Sequence, residues 1–302
     1  MGYENWGDIV TEGVGRHGSL VGGIDPVYED IPDCFKSARR NPVQCLQDYS
    51  AFLIDAIAVH AGFIKPQSAF FEAFGSSGVE VLARVMAYAR QKGLRVILDA
   101  KRGDISSTAA AYARAYLTPE AGSDLEADCL TVNPFLGTDT VEIFVDCARK
   151  YGKGLFILVK TSNPGGGWIQ DVAAEGKTVS ERIAVQIDRW SQDCTGSSGL
   201  SSIGAVVGAT FPEQGVRLRD LMPRSILLQP GIGAQGGEAQ AVNTLRRGRE
   251  ASVLVPISRG LTKTGDLSMP LGEYRKLITE RIQSFKTILA MTAENNQERA
   301  SC

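Results

Sequence analysis

The feature that most constrains this chain is a rhythm of short apolar runs separated by longer stretches of helical periodicity. The runs are Leu20 to Ile24, Ala61 to Ile64, Val96 to Leu98, Cys129 to Val132, Leu155 to Val159, Ile203 to Val207, Ile226 to Leu228 and Val253 to Ile257. Between them, apolar residues recur three and four apart over Val43 to Val59, Val79 to Gln91, Ile105 to Tyr116, Val141 to Lys150, Val179 to Trp190 and Tyr274 to Leu289. Strands that alternate with helices pair in parallel, since each helix returns the chain to the starting edge. Eight such units predict an α/β fold, a (β/α)8 TIM barrel. Pattern alone leaves a doubly wound open sheet as the alternative.

The residues that follow each run favour the barrel. Asp25 follows the first, Lys65 the second, Asp99 and Lys101 the third, and Asn133 the fourth. Lys160 and Ser162 follow the fifth, Thr210 the sixth, Gly231 to Gly237 the seventh and Arg259 the eighth. A closed barrel gathers all of them on one rim, where active sites of this fold lie; an open sheet would spread them along a line.

At 302 residues the chain suits one barrel domain, with a polar tail expected from about Thr292 to Cys302. A formal net charge of -2 gives no general attraction to nucleic acid or anionic lipid, so any phosphate recognition has to be local. The six cysteines are scattered without a Cys-x-x-Cys pair, which signals neither a zinc site nor a disulfide framework. No apolar stretch reaches the roughly 18 residues of a membrane span, and Met1 to Asp8 lacks the order of a signal peptide. The expectation is a cytoplasmic protein.

Within the third strand's end, Asp99 and Lys101 share a face if the extended backbone continues through them, and Asp104 lies one short turn further on. A lysine among carboxylates keeps its proton and can deliver it to an electron-rich carbon. Each residue also has an ordinary role. Asp104 could cap the helix that begins near Ile105, and Asp99 with Lys101 could be an exposed ion pair of little worth.

The longer pattern is more specific. Asp99-x-Lys101-x-x-Asp104-Ile105-x-x-Thr108 resembles the active-site signature of the orotidine 5'-phosphate decarboxylase family. The resemblance continues through Gly23-Ile-Asp25-Pro26, Lys65-Pro66, Leu130-Thr-Val-Asn-Pro-Phe-Leu-Gly137, Thr161-Ser-Asn-Pro-Gly165, Pro230-Gly-Ile-Gly-Ala-Gln-Gly-Gly237 and Ser258-Arg-Gly260. The fourth-strand segment and the long loops are similar to the larger bacterial-type branch. The resemblance implies that Lys101 protonates C6 of the pyrimidine after carbon dioxide leaves, and that Asp99 lies beside the departing carboxylate. It implies that Lys65 and Asp25 contact the ribose and that Ser162 contacts the pyrimidine. Gln235 and Arg259, with Gly260 beside it, would then bind the phosphate. Asp104 and Thr108 would reach into a neighbouring subunit's site, which makes a homodimer. No cofactor or metal is implied. Gly23 departs from the family, where a bulkier residue is usual, and suggests a different lower barrel face.

Other patterns compete less well. Gly231-Ile-Gly-Ala-Gln-Gly236 satisfies a dinucleotide fingerprint, but the next strand leads into Ser258-Arg259 instead of an acid, so the loop reads as an anion site. The two histidines, His17 and His60, are too few for a histidine-rich metal centre. Sugar-phosphate decarboxylases and aldolases of the same superfamily resemble the Asp-x-Lys-x-x-Asp pattern and use magnesium. They carry an acid at the second strand's end, where this chain has Lys65. A catalytically dead barrel that only binds a nucleotide or a partner is the rival of another class.

Overall fold

A computed structural model describes residues 2–36, 41–232 and 239–300. Eight parallel strands close into a barrel: β1 Leu20–Ile24, β2 Phe63–Pro66, β3 Arg95–Arg102, β4 Cys129–Val132, β5 Gly154–Lys160, β6 Ser201–Val207, β7 Ser225–Leu228 and β8 Val253–Ile257. Strand β1 pairs with both β2 and β8, which removes the open edges of the alternative sheet. Two of the differences from the sequence expectation bear on the rim. The second strand begins at Phe63 and takes Lys65 into the ladder opposite Gly23, and the third runs on through the charged residues to Arg102.

Helices cover the outside because their starts and buried faces agree. Asn41 caps Pro42–Ala58 by accepting a bond from the Gln44 amide, and the helix buries Leu46, Tyr49, Leu53 and Ile57 toward the strands. Thr178 and Glu181 form a reciprocal capping box at the start of Val179–Gln192. The final helix continues to Ala300, through the segment in which a tail was expected.

A helix absent from the sequence expectation, Trp6–His17, closes the lower end of the barrel. Its Trp6, Val10 and Val14 are spaced four apart, so they share one face, and they pack against Val21, Phe63, Ile97, Phe156 and Leu254 from inside the barrel. Trp6 meets Phe63 edge-on at 6.1 Å. A Cβ at Gly154 would lie 2.5 Å from the Trp6 ring, so that strand position needs glycine for the plug to seat. The helix is tied across the chain: Asn5 donates to the Cys194 carbonyl, the Trp6 amide to Ser202, and the Ser197 and Ser198 amides to Asp8.

Alternation along the strands then divides the interior into levels. Val21, Phe63, Ile97, Cys129 and Phe156 form the apolar floor; two residues further on, Lys65, Asp99, Thr131 and Leu158 face the upper opening, joined by Asp25 and Lys101. No helix among the described residues is long and apolar enough to cross a membrane.

Candidate active site

The upper opening is a cavity of about 310 Å³ lined by Asp25, Lys65, Asp99, Lys101, Ser162, Arg259 and Gly260, among others. Residues from five different strand ends therefore converge, as the rim argument required. Leu158, Val206, Leu228 and Pro256 supply an apolar wall between them.

Asp99 is the hub. Its Oδ2 accepts from the Lys65 ammonium at 2.7 Å, and its Oδ1 accepts from Lys101 Nζ at 2.6 Å and from the Thr131 hydroxyl at 3.0 Å. Lys65 also lies 3.9 Å from Asp25 Oδ1, a buried oxygen with no hydrogen-bond partner in the structure. Burial alone would raise the pKa of Asp99, but Lys65 and then Lys101 outweigh it and hold the carboxyl well below the ordinary carboxylate range. Burial alone would lower the pKa of Lys65; Asp99 and Asp25 reverse that and raise it. The result is a charged array that stays ionised although Lys65 and Asp99 are each only 7% exposed.

These directions fix a pH dependence. A depressed carboxyl pKa stabilises the fold above the ordinary aspartate value of 3.8, and that contribution disappears as pH falls through the lower folded value. A raised lysine pKa contributes fully below 10.5 and is lost as pH rises through the folded value. Denaturant unfolding across pH is expected to show the wild-type advantage over Asp99→Asn shrinking below pH 3.8. An advantage constant down to complete protonation would contradict the array.

The geometry that brings Lys101 to Asp99 is not the simple extended strand expected from the sequence. Lys101 has φ 47°, and the β3–β4 register shifts between Leu98 and Arg102. A side-chain-bearing residue seldom occupies that region, and such strain typically costs about 1–3 kcal/mol. Thr131 holds it in place by accepting the Lys101 amide at 2.8 Å while donating to Asp99. Thr131 was missed as a site residue. Its signal was available, since it lies two residues beyond Cys129 and therefore on the inward face of β4.

Asp104 and Thr108 do not line this cavity. Asp104 turns back to accept from the Ile105 amide at 2.8 Å, and Thr108 is exposed on the first turn of the helix Ser106–Leu117. Gln235 lies outside the described residues. Two further rim expectations are corrected. Lys160 points away from the opening, buried in an ion pair with Asp171 at 2.6 Å and with its ammonium 4.4 Å from the Phe211 ring centre. Its role is to pin the end of the segment Thr161–Asp171, aided by Gln170, which donates to Thr161. Gly23 bears on the upper end of the barrel, not the lower: a Cβ there would fall 1.8 Å from Ser258 Oγ, beside Arg259. Ser258 occupies the space that a larger residue would take.

Among the described residues, no group of three or more His, Cys, Asp or Glu side chains is arranged to hold a metal ion. A divalent ion at Asp99 would also have to displace two ammonium groups, because both carboxylate oxygens are already engaged.

The chain has relatives among known proteins. Residues 43–273 match the model of the Orotidine 5'-phosphate decarboxylase / HUMPS family. The orotidine 5'-phosphate decarboxylase of Rhodopirellula baltica is 44% identical over 247 residues, covering 78% of this chain and 81% of that one. That of Deinococcus radiodurans is 45% identical over 233 residues, 77% of this chain and 79% of its own. A crystal structure from Streptomyces avermitilis, 35% identical, superposes with a TM-score of 0.82 over 97% of this chain and 98% of that one. The family match takes in seven of the eight barrel strands, β2 to β8, and the chain belongs to the Orotidine 5'-phosphate decarboxylase / HUMPS family.

Proposed function

We propose that the upper cavity removes the carboxyl group of orotidine 5'-monophosphate without a metal, with Lys101 as the proton donor. The chain is a decarboxylase of that nucleotide, a carbon–carbon lyase of pyrimidine biosynthesis. The observation that carries the residue roles is the pair of lysines sharing Asp99. Cleavage of the bond between C6 and the carboxyl carbon leaves the electron pair at C6 and releases carbon dioxide. The Lys101 ammonium then gives its proton to C6 and is left as a neutral amine, which regains a proton from water.

In this reading Asp99 aims Lys101, and Thr131 fixes both. Fixed charges stabilise the electron-rich carbon better than mobile water does, because they need no reorientation as charge develops. Asp25 and Lys65 hold the ribose, Ser162 the pyrimidine, and Arg259 with Gly260 and Gln235 the phosphate. Arginine suits the last role through its planar fork of donors. Phosphate binding remote from the broken bond helps to position the reacting end. The direct test is conversion of orotidine 5'-monophosphate to UMP by purified protein in excess chelator. Turnover is expected to be unaffected; a strict requirement for added magnesium would instead favour the sugar-phosphate reading.

The proposed working unit is a cytoplasmic homodimer of single barrel domains. Support comes from Asp104 and Thr108, which stand outside their own cavity on the same rim as the exposed apolar residues Ile105 and Phe135. Beside the site lies a second cavity of about 760 Å³, also lined by Asp25, Lys101 and Arg259, with room for a partner's loop. If sites are shared, mixing inactive Lys101→Ala and Asp104→Ala proteins restores activity. One site of each mixed dimer has both residues intact, so free exchange is expected to recover about one quarter of wild-type activity. No recovery after demonstrated exchange would mean that each site is built from one chain.

A further inference from the structure

At the barrel's opposite end, four arginines converge on a cavity of about 280 Å³: Arg219, Arg246, Arg247 and Arg249, with Asp220, Pro223 and Ser252. Pro223 and Ser252 immediately precede the region where β7 and β8 begin, so this cavity is at the strands' N-terminal ends, away from the substrate cavity. Arg219 and Arg246 are each only 3% exposed. Burying a guanidinium is costly unless an anion or a full set of acceptors compensates it.

Compensation here is incomplete. Arg219 donates to the carbonyls of Ser225 at 2.6 Å and Pro223 at 3.4 Å, while Arg246 donates to Ser19 Oγ, the Leu289 carbonyl and Asn243 Oδ1. All of these acceptors are neutral. The Nε atoms of both arginines are buried without any partner. Asp220, the one carboxylate in the lining, is engaged by Arg247, and Arg249 reaches the Ser198 carbonyl. Burial, followed by the charges of Arg249 and Arg247, pushes the pKa of Arg219 down to about 10; Glu250 acts favourably on Arg246 from outside the lining.

Bracing of the barrel accounts for the bonds made by Arg219 and Arg246. It does not account for two further guanidiniums at the same cavity. Arg247, with φ 49°, and Gly248, with φ 76°, reverse the chain so that Arg246, Arg247 and Arg249 all line it. Excess positive charge gathered by an unusual backbone around a concave space suits a multivalent oxyanion, whose oxygens match the guanidinium fork.

We propose that this lower cavity is a second anion site that takes a small phosphate-class oxyanion of more than one negative charge. Arg247 and Arg249 capture the anion at the exposed mouth, and the buried pair supplies positive potential behind them. Because Arg219 bonds at the start of β7 and Arg246 beside the start of β1, occupancy braces strands whose other ends lead to Gly231 and Asp25.

The test is calorimetric titration of inorganic pyrophosphate, with inorganic phosphate in a parallel arm, into full-length protein saturated with UMP to occupy the upper cavity. One additional site is expected, tighter for pyrophosphate, and weakened at least about tenfold in Arg247→Ser/Arg249→Ser. Pyrophosphate should raise the melting temperature of wild type and not of the double variant, while turnover of orotidine 5'-monophosphate stays equal in both. Arg249→Gln alone, at an exposed position, provides an intermediate affinity if the double variant is unstable. No second site in the UMP-saturated protein, or an affinity unchanged in these variants, overturns the proposal.

Discussion

Replacing Lys101 with alanine is expected to reduce decarboxylation by at least about 10⁴-fold, the upper range for loss of a positioned proton donor combined with loss of a preorganised charge. Binding of UMP should remain measurable, because Ser162 and Arg259 reach the same cavity from other strands. The fold should also survive. Lys101 is on the exposed side of the array, and Asp99 keeps Lys65 and Thr131 as partners without it. Removing a side chain from a residue at φ 47° does not relieve the backbone, so no large gain in stability should mask the result. Single-turnover measurement with bound substrate separates chemistry from affinity. Near-normal turnover would exclude Lys101 as the proton donor.

Asp99→Ala should damage both chemistry and stability. The Lys65 ammonium is buried and would lose its partner at 2.7 Å, leaving only Asp25 at 3.9 Å. Breaking a buried ion pair from one side commonly costs about 3–5 kcal/mol, because the remaining charge is stranded. Urea unfolding should report a loss of that order. Lys65→Met in the same background should recover part of it, since it removes the stranded cation and fills similar volume. Activity should not return, as Lys101 still lacks its orienting carboxylate. A destabilisation below about 1 kcal/mol would indicate that water reaches Lys65 and that the array is weaker than its geometry suggests.

The barrel was legible because its two periodicities alternate eight times and because reactive residues recur at the ends of apolar runs. The alternation therefore suffices to gather Lys65, Asp99, Ser162 and Arg259 on one rim. What the pattern could not show was the local backbone. The register shift at Lys101 depends on a threonine from the next strand, and no spacing within residues 99–104 contains that information. Lys160 misled for a related reason. It follows an apolar run like the others, but Asp171 and Phe211 turn it away from the opening. Gly23 was informative as a departure, yet its meaning required Ser258 from the far end of the chain. The helix Trp6–His17 is not legible from the alternation although its apolar residues recur every fourth position, because it precedes the first apolar run and has no strand before it.

That helix also imposes an order on how the molecule can be completed. Its hydrogen bonds to Cys194, Ser197, Ser198 and Ser202 span 189 to 196 residues of sequence. A ribosome delivers Trp6 well before those partners, which follow only after five of the eight strands have been translated. Until then the indole has no finished seat, and the nascent sheet has no stopper. Contacts of such long separation are slow to form because the intervening chain must first be constrained. The helix that precedes every barrel strand is thus among the last elements to reach its final place, and its tryptophan waits unseated while the strands that receive it are made.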